Sequence, residues 1–338
     1  MTKYLKRAPK TSATDTAKTR AIVQEMLDKI EAEGEPAARA YAETLDKWTG
    51  EIVVSAETMD AAKARVSQKM RDDIRFAHDN VRRFAETQLA TLTPAEMEVI
   101  PGLVAGQKHI PVAAAGCYVP GGRYSHVASA IMTVTTAKVA GVGDITACSP
   151  TIPGEGIPDA ILYTLDLCGA DRVLNLGGVQ GVAALAFGLF GAKPADIIVG
   201  PGNQFVAEAK RILFGRVGID MFAGPTDSMI LADETADPEV VAVDLVSQAE
   251  HGYNSPVWLA TTHRPLAEAV MARVPELIAD LPELNGKNAE AAWRDYAEVM
   301  VCESPEEAKR QSHQSRSAAC TERCSGATRS LSTATSSR

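Results

Sequence analysis

Gln248 and His251 are three residues apart in a segment predicted to end a helix, so their side chains should point the same way. An imidazole nitrogen is a good zinc ligand, whereas an amide oxygen is a poor one. Spacing alone therefore favours an ordinary polar helix end, and a two-ligand metal site is the alternative.

Three predicted strand-to-helix junctions contain glycine, at residues 120–122, 177–181 and 200–203. Glycine lets the backbone approach a ligand, and the N-terminus of the following helix offers free N–H groups to a pyrophosphate. None of the three has the G-x-G-x-x-G spacing, so each one alone favours a structural turn. Three such junctions at successive strand ends indicate a dinucleotide crevice.

Arg123 and His126 follow the first of these junctions. A guanidinium or an imidazolium binds an anionic head group through charge-assisted hydrogen bonds. A solvated loop pair is the equally simple alternative.

These residues need strands and helices to position them. From about residue 97, short apolar runs alternate with helical segments, which is typical of a parallel, doubly wound α/β sheet with ligands at the carboxyl ends of its strands. The predicted strands cover residues 112–119, 144–148, 172–176, 196–199, 219–222, 229–232 and 257–260.

The first ninety residues are predicted to be mostly helical. Apolar residues recur at helical spacing from Ile22 to Ile30, Gly34 ends that helix, and Pro36 begins the next one. Further amphipathic helices are predicted over residues 56–70 and 71–89. Residues 1–20 are expected to form a basic arm, with a transit peptide as the alternative.

Composition excludes several classes of protein. The 338 residues carry a net charge of −9, which argues against a nucleic-acid partner. No apolar run approaches the ~20 residues that a membrane-spanning helix needs. The six cysteines show neither zinc-finger spacing nor a disulfide framework, so we expect a cytoplasmic protein.

Several motifs together resemble the histidinol dehydrogenase superfamily of zinc- and NAD-dependent alcohol dehydrogenases. They are GCYVPGG at residues 116–122, GGVQG at 177–181, GPGN at 200–203 and SQAEH at 247–251, within a resemblance running from about residue 20 to about residue 310. We therefore expect two Rossmann-like units. The first α/β domain would comprise residues 21–119 and 226–310, and the second, NAD-binding domain residues 120–225. The N-terminal helices would form the arm of a homodimer.

The resemblance also implies roles for particular residues. Tyr118, Gln180 and Asn203 match the NAD-contacting positions of the family, although a core tyrosine and two polar residues at helix N-termini are the plain alternatives. Gln248 and His251 match metal ligands that also contact the substrate. Thr226 stands where most histidinol dehydrogenases have a substrate-contacting serine, and its hydroxyl can still donate a hydrogen bond.

The implied activity is oxidation of a primary alcohol, through an aldehyde, to a carboxylate, with NAD and Zn²⁺ as cofactors. The segment from Arg123 to His126 resembles the branch of the family that oxidises 2,3-dihydroxypropane-1-sulfonate, so we expect an anionic small-molecule substrate and sulfolactate as product. Oxidation of histidinol, in histidine biosynthesis, and a non-catalytic NAD-binding remnant are the alternatives.

Residues 311–338 break the α/β pattern. They are rich in serine, threonine and arginine, and this composition predicts disorder because it buries too little apolar surface. Family members instead continue in register into a Glu-His pair and further zinc ligands. We expect a reading-frame change or truncation near residues 308–311, with a natural disordered tail as the alternative. On that expectation the chain lacks full activity.

Overall fold

The computed structural model describes residues 2–9, 16–121, 126–221, 227–311 and 331–333. The chain divides into two compact units. The larger unit comprises residues 16–224, and the smaller unit comprises residues 1–15 and 225–338. This division differs from the expected one, because it places residues 21–119 with residues 120–224.

The strands are β1 (Lys3–Lys6), β2 (Ala95–Ile100), β3 (Leu103–Gln107), β4 (Ala114–Tyr118), β5 (Asp144–Ser149), β6 (Arg172–Asn175), β7 (Ile197–Val199), β8 (Gly218–Ile219), β9 (Ser228–Ala232), β10 (Val257–Thr261), β11 (Glu298–Val301) and β12 (Leu331–Thr333). The helices of the larger unit are α1 (Thr16–Glu33), α2 (Glu35–Tyr41), α3 (Ala56–Arg65), α4 (Gln68–Ala90), α5 (Val127–Ala130), α6 (Thr136–Val139), α7 (Asp159–Cys168), α8 (Gly178–Phe187) and α9 (Gln204–Leu213). Those of the smaller unit are α10 (Pro238–Ala249), α11 (Arg264–Ala279) and α12 (Glu283–Tyr296), and residues 305–311 are also helical. Two π-helical turns, Ala42–Asp46 and Ile131–Thr135, continue α2 and join α5 to α6.

The larger unit is built on a parallel five-stranded sheet in the order β6-β5-β4-β7-β8. This confirms the predicted parallel, doubly wound arrangement. The chain runs outward from β4 through β5 to β6 and then returns to β7 on the other side of β4. Such a reversal opens a crevice at the carboxyl ends of the central strands, where ligands bind in folds of this kind.

Helices cover both faces of this sheet. On one face, α1, α2, α8 and α9 share an apolar core that includes the fully buried Val23 and Ile30. On the other face, α3, α4 and α7 pack with the helical residues 127–139. The helices α1 and α2 are therefore part of the core of this unit, and their expected role as a dimer arm stays a prediction. Their apolar faces bury surface within this unit.

The smaller unit has a second sheet, in the order β1-β11-β10-β9-β12. The strands β9, β10 and β11 are parallel, with α10, α11 and α12 in the connections between them. Strand β1 pairs antiparallel with β11, so residues 3–6 form an edge strand and not a free basic arm.

Part of the C-terminal tail is also paired. Strand β12 lies parallel to β9, and the expectation of disorder for the tail as a whole stays as stated. The rest of residues 312–338 lies outside the described residues. In the described part of the chain, no helix is both long and apolar enough to cross a membrane.

Candidate functional site

Tyr118 ends the central strand β4 and is only 2% exposed. Its hydroxyl oxygen accepts a hydrogen bond of 3.0 Å from the backbone N–H of Gly178, at the start of α8. Burial raises the pKa of this hydroxyl well above its usual range, so the group stays protonated. The O–H of Tyr118 can therefore still donate a hydrogen bond while its oxygen holds the glycine junction in place.

Gln180 lies in the first turn of α8 and is 1% exposed. Its amide nitrogen Nε2 donates a hydrogen bond of 2.9 Å to Oδ2 of Asp46. The same carboxylate oxygen accepts the backbone N–H of Gly177, also at 2.9 Å. Asp46 ends the π-helical turn after α2, and burial raises its pKa while these two hydrogen bonds lower it. The sequence analysis did not identify Asp46.

Asn203 caps helix α9. Its Oδ1 accepts the backbone N–H groups of Phe205 and Val206, at 2.9 and 3.1 Å. The structural role named as the alternative for this residue is therefore present. The cap bonds use only the oxygen, so they leave the two N–H donors of the amide for a ligand at the helix N-terminus.

Gly200 is fixed against the end of β4. Its φ of 119° is a conformation that side chains rarely adopt, and a Cβ there would lie 2.0 Å from the carbonyl oxygen of Tyr118. An ion pair between the buried Lys210 and the partly exposed Asp220 holds the peptide groups of this residue. Lys210 Nζ donates to the Gly200 carbonyl oxygen at 2.9 Å, and Asp220 Oδ2 accepts the Gly200 N–H at 2.8 Å. Lys210 and Asp220 also contact each other directly.

The three glycine junctions thus lie at one edge of the sheet. Tyr118, next to the first junction, contacts the second through Gly178 and the third through Gly200. Gly121, in the first junction, lies beside Ser149 at the end of β5, since a Cβ at Gly121 would be 2.8 Å from the serine Oγ.

Several buried polar atoms at this edge have no hydrogen-bond partner among the described residues. They are Oε1 of Gln180, Oγ of Ser149 and Oγ1 of Thr151. Leaving such a group unpaired costs about 1–3 kcal/mol, and in most folded proteins buried polar groups are paired. Polar atoms in a crevice at the carboxyl ends of parallel strands fit a ligand rich in hydroxyl, amide and phosphate groups, and NAD is such a ligand.

Gln248 and His251 do not share a helix as expected. Helix α10 ends at Ala249, and His251 lies in the turn beyond it, with its backbone N–H donating to the carbonyl oxygen of Gln248 at 3.3 Å. Gln248 is half-buried and His251 is exposed. The described residues include no group of three or more His, Cys, Asp or Glu side chains that could hold a metal ion. A neutral imidazole and an amide do not fit a tight zinc site by themselves.

Of the residues expected to contact substrate, Arg123 and Thr226 lie outside the described residues. His126 is half-buried and comes directly before α5. Its backbone carbonyl accepts the N–H groups of Ser129 and Ala130, at 3.1 and 3.3 Å. Its side chain does not cap the helix, so the imidazole has no part in starting it.

Fold and site together define a two-unit α/β protein with buried polar groups at the carboxyl ends of parallel strands, and comparison with known proteins gives its family. The family model described as histidinol dehydrogenase matches residues 9–317, so the chain belongs to this family of dehydrogenases. It is 64% identical over 304 residues to a sulfopropanediol 3-dehydrogenase of Ruegeria pomeroyi, covering 90% of this chain and 70% of that protein. It is 61% identical over 305 residues to a histidinol dehydrogenase homolog of Pelagibacter ubique, covering 90% and 71%.

A solved structure supports the same assignment. The histidinol dehydrogenase of Elizabethkingia anophelis matches with a TM-score of 0.81 at 30% identity, over 97% of this chain and 77% of that one. The expected family and fold class are therefore confirmed.

Proposed function

We propose that the protein is an NAD-dependent alcohol dehydrogenase that oxidises 2,3-dihydroxypropane-1-sulfonate, through an aldehyde, to sulfolactate. The observation that carries this proposal is the 64% identity with the sulfopropanediol 3-dehydrogenase, against 40% with the histidinol dehydrogenase of Escherichia coli O157:H7. NADH formation from NAD and this sulfonate tests it. The assay uses a form of the chain extended by the C-terminal segment of the family, because the chain spans 70% of the Ruegeria relative.

The crevice of the larger unit is the proposed NAD site. When bound there, NAD would accept hydride from the alcohol carbon. Three residues would hold it: Tyr118 donates through its hydroxyl, Asn203 donates through its amide nitrogen, and Gln180 accepts through Oε1. The N-terminus of α9 adds positive potential for the pyrophosphate.

Substrate and metal contacts are proposed for the remaining residues. Arg123 and His126 would bind the anionic head group, and Thr226 would donate a hydrogen bond to the substrate. Gln248 and His251 would contact the substrate and hold Zn²⁺ only loosely, because ligand number and charge set the affinity for zinc. No catalytic step is assigned to zinc on these two residues.

NAD affinity should depend on the amide N–H groups of Asn203, whereas the helix cap depends on its amide oxygen. We expect Asn203→Ala to weaken NAD binding about tenfold, the effect of losing ~1.4 kcal/mol. Asn203→Ser keeps a side-chain cap but removes the N–H donors, so it should weaken binding similarly while leaving the melting temperature near that of the wild type. Calorimetric titration with NAD measures the first effect and thermal unfolding the second. If Asn203→Ser bound NAD as tightly as the wild type, the helix cap alone would account for the role of Asn203 in NAD binding.

We also propose a homodimer, now on the evidence of a hairpin rather than the N-terminal helices. Strands β2 and β3 pair antiparallel, and every residue in both strands is exposed, including the apolar Met97 and its cross-strand partner Ala105. A lone two-stranded hairpin is marginally stable in water. A second copy that covers these side chains would stabilise it.

The hairpin provides a test of the dimer. We expect the double variant Met97→Lys/Ala105→Lys to shift the protein from dimer to monomer, because these cross-strand partners share one face of the hairpin and both charges would be buried in the proposed interface. Light scattering coupled to size-exclusion chromatography measures the mass. Glu96→Lys, a charge change on an exposed residue of the same hairpin, serves as the control for effects of charge alone. A wild-type protein that is monomeric at micromolar concentration would contradict the proposal.

A further inference from the structure

Asp46 lies at the C-terminus of a helical segment, an unfavourable position for a carboxylate unless the side chain binds a specific partner. It is the last residue of the helical segment 35–46, which Lys47 ends with a left-handed φ of 56°. The C-terminus of a helix carries partial negative charge and repels a carboxylate. The side chain instead reaches the N-terminus of α8, where its Oδ2 accepts from both Gly177 and Gln180.

This contact determines which way the amide of Gln180 points. An ionised carboxylate can only accept hydrogen bonds, so the amide must turn its nitrogen towards Asp46. Its oxygen Oε1 is then left on the other side, buried and without a partner among the described residues. A buried acceptor of this kind requires a hydrogen-bond donor.

We propose that Asp46 is a positioning residue for the cofactor: it holds Gln180 so that Oε1 accepts a hydrogen bond from a donor group of NAD. The donor is a ribose hydroxyl or the carboxamide N–H₂, because phosphate oxygens carry no proton at neutral pH and would repel an amide oxygen. The inference rests on the NAD site proposed above. Asp46 acts on NAD only through Gln180.

A double-mutant cycle on NAD affinity tests this role. We expect Asp46→Ala to weaken NAD binding about tenfold, and Gln180→Ala to weaken it at least as much. In the Gln180→Ala background, Asp46→Ala should have no further effect, since the group that it positions is gone. Calorimetric titration with NAD measures all four affinities. If Asp46→Ala does not fold, Asp46→Ser is used in its place, because the serine side chain is too short for its hydroxyl to reach Gln180.

Two further variants separate positioning from general support of the fold. Asp46→Asn should bind NAD within about threefold of the wild type, because one amide oxygen can accept both hydrogen bonds that Oδ2 accepts now. Asn175→Ala is the matched control. Asn175 Nδ2 donates to the Glu51 carbonyl oxygen at 2.9 Å and so ties the segment after Asp46 to β6. Its loss should lower the melting temperature and leave NAD affinity unchanged.

Additive effects of the Asp46 and Gln180 substitutions would overturn the positioning role, and so would failure of Asp46→Asn to restore binding. An equal loss of NAD affinity in Asn175→Ala would also overturn it, because the effect would then follow stability. A folded wild-type protein that binds no NAD is a different result. It would refute the proposed cofactor site itself, and the role of Asp46 with it.

Discussion

Replacing Lys210 with alanine is expected to lower the free energy of unfolding by about 1–3 kcal/mol, the usual cost of leaving a buried hydrogen-bond acceptor unsatisfied. Lys210 is 1% exposed, and its ammonium binds both Asp220 and the Gly200 carbonyl oxygen. Without it, the carboxylate of Asp220 loses its counter-charge and the carbonyl loses its donor. Denaturant unfolding of the variant against the wild type measures the change.

The comparison needs a lysine whose ion pair is exposed. Lys69 pairs with Asp73 on the surface of α4, where both side chains are largely solvated. Lys69→Ala should therefore change the free energy of unfolding by less than ~1 kcal/mol. The double variant Lys210→Met/Asp220→Asn should recover part of the loss of Lys210→Ala, because it removes the stranded charge. Equal stabilities of Lys210→Ala and Lys69→Ala would show that the Lys210–Asp220 pair does not hold the Gly200 junction.

The strands show how far the sequence predicts the fold. The apolar runs around residues 112–119, 144–148 and 172–176 predicted β4, β5 and β6 to within two residues at each end, because parallel strands covered on both faces need continuous apolar side chains. The short runs at β1 and β11 were missed. Strand β1 contains two lysines in four residues, a composition that indicates a solvated arm until β11 is placed beside it.

Most features of the site that the sequence did not predict are contacts between residues far apart in the chain. The motifs pointed to Tyr118, Gln180 and Asn203 individually. Asp46 and Gln180 are 134 positions apart, and no local pattern marks the aspartate as a partner of the glutamine. In the same way, the apolar face of α1 predicted burial but not what would cover it.

Helix ends were the other weak point of the sequence analysis. The segment from Gln248 to His251 contains no glycine or proline that would end a helix, so the pattern extended α10 two residues too far. The backbone hydrogen bond between these two residues remains, so they are still joined by a single turn of the chain.

Substrate choice carries the second large effect. We expect the form of the chain extended by the family's C-terminal segment to oxidise 2,3-dihydroxypropane-1-sulfonate with a kcat/KM about 100-fold higher than histidinol. A sulfonate gains charge-assisted hydrogen bonds from Arg123 and His126, each worth ~1.5–3 kcal/mol when sheltered from water. Histidinol carries a cationic amine, which the guanidinium would repel. Initial rates of NADH formation with each alcohol measure the ratio.

The imidazole of His126 allows this preference to be traced to one side chain. His126→Ala should raise KM for the sulfonate about tenfold and leave kcat nearly unchanged, because the head group is remote from the carbon that reacts. His109→Ala makes the same change at an exposed histidine that follows β3 and should leave both constants unaltered. The sulfonate assignment fails if histidinol is the better substrate. It also fails if the loss of His126 lowers kcat alone, since the imidazole would then act on the reaction and not on the head group.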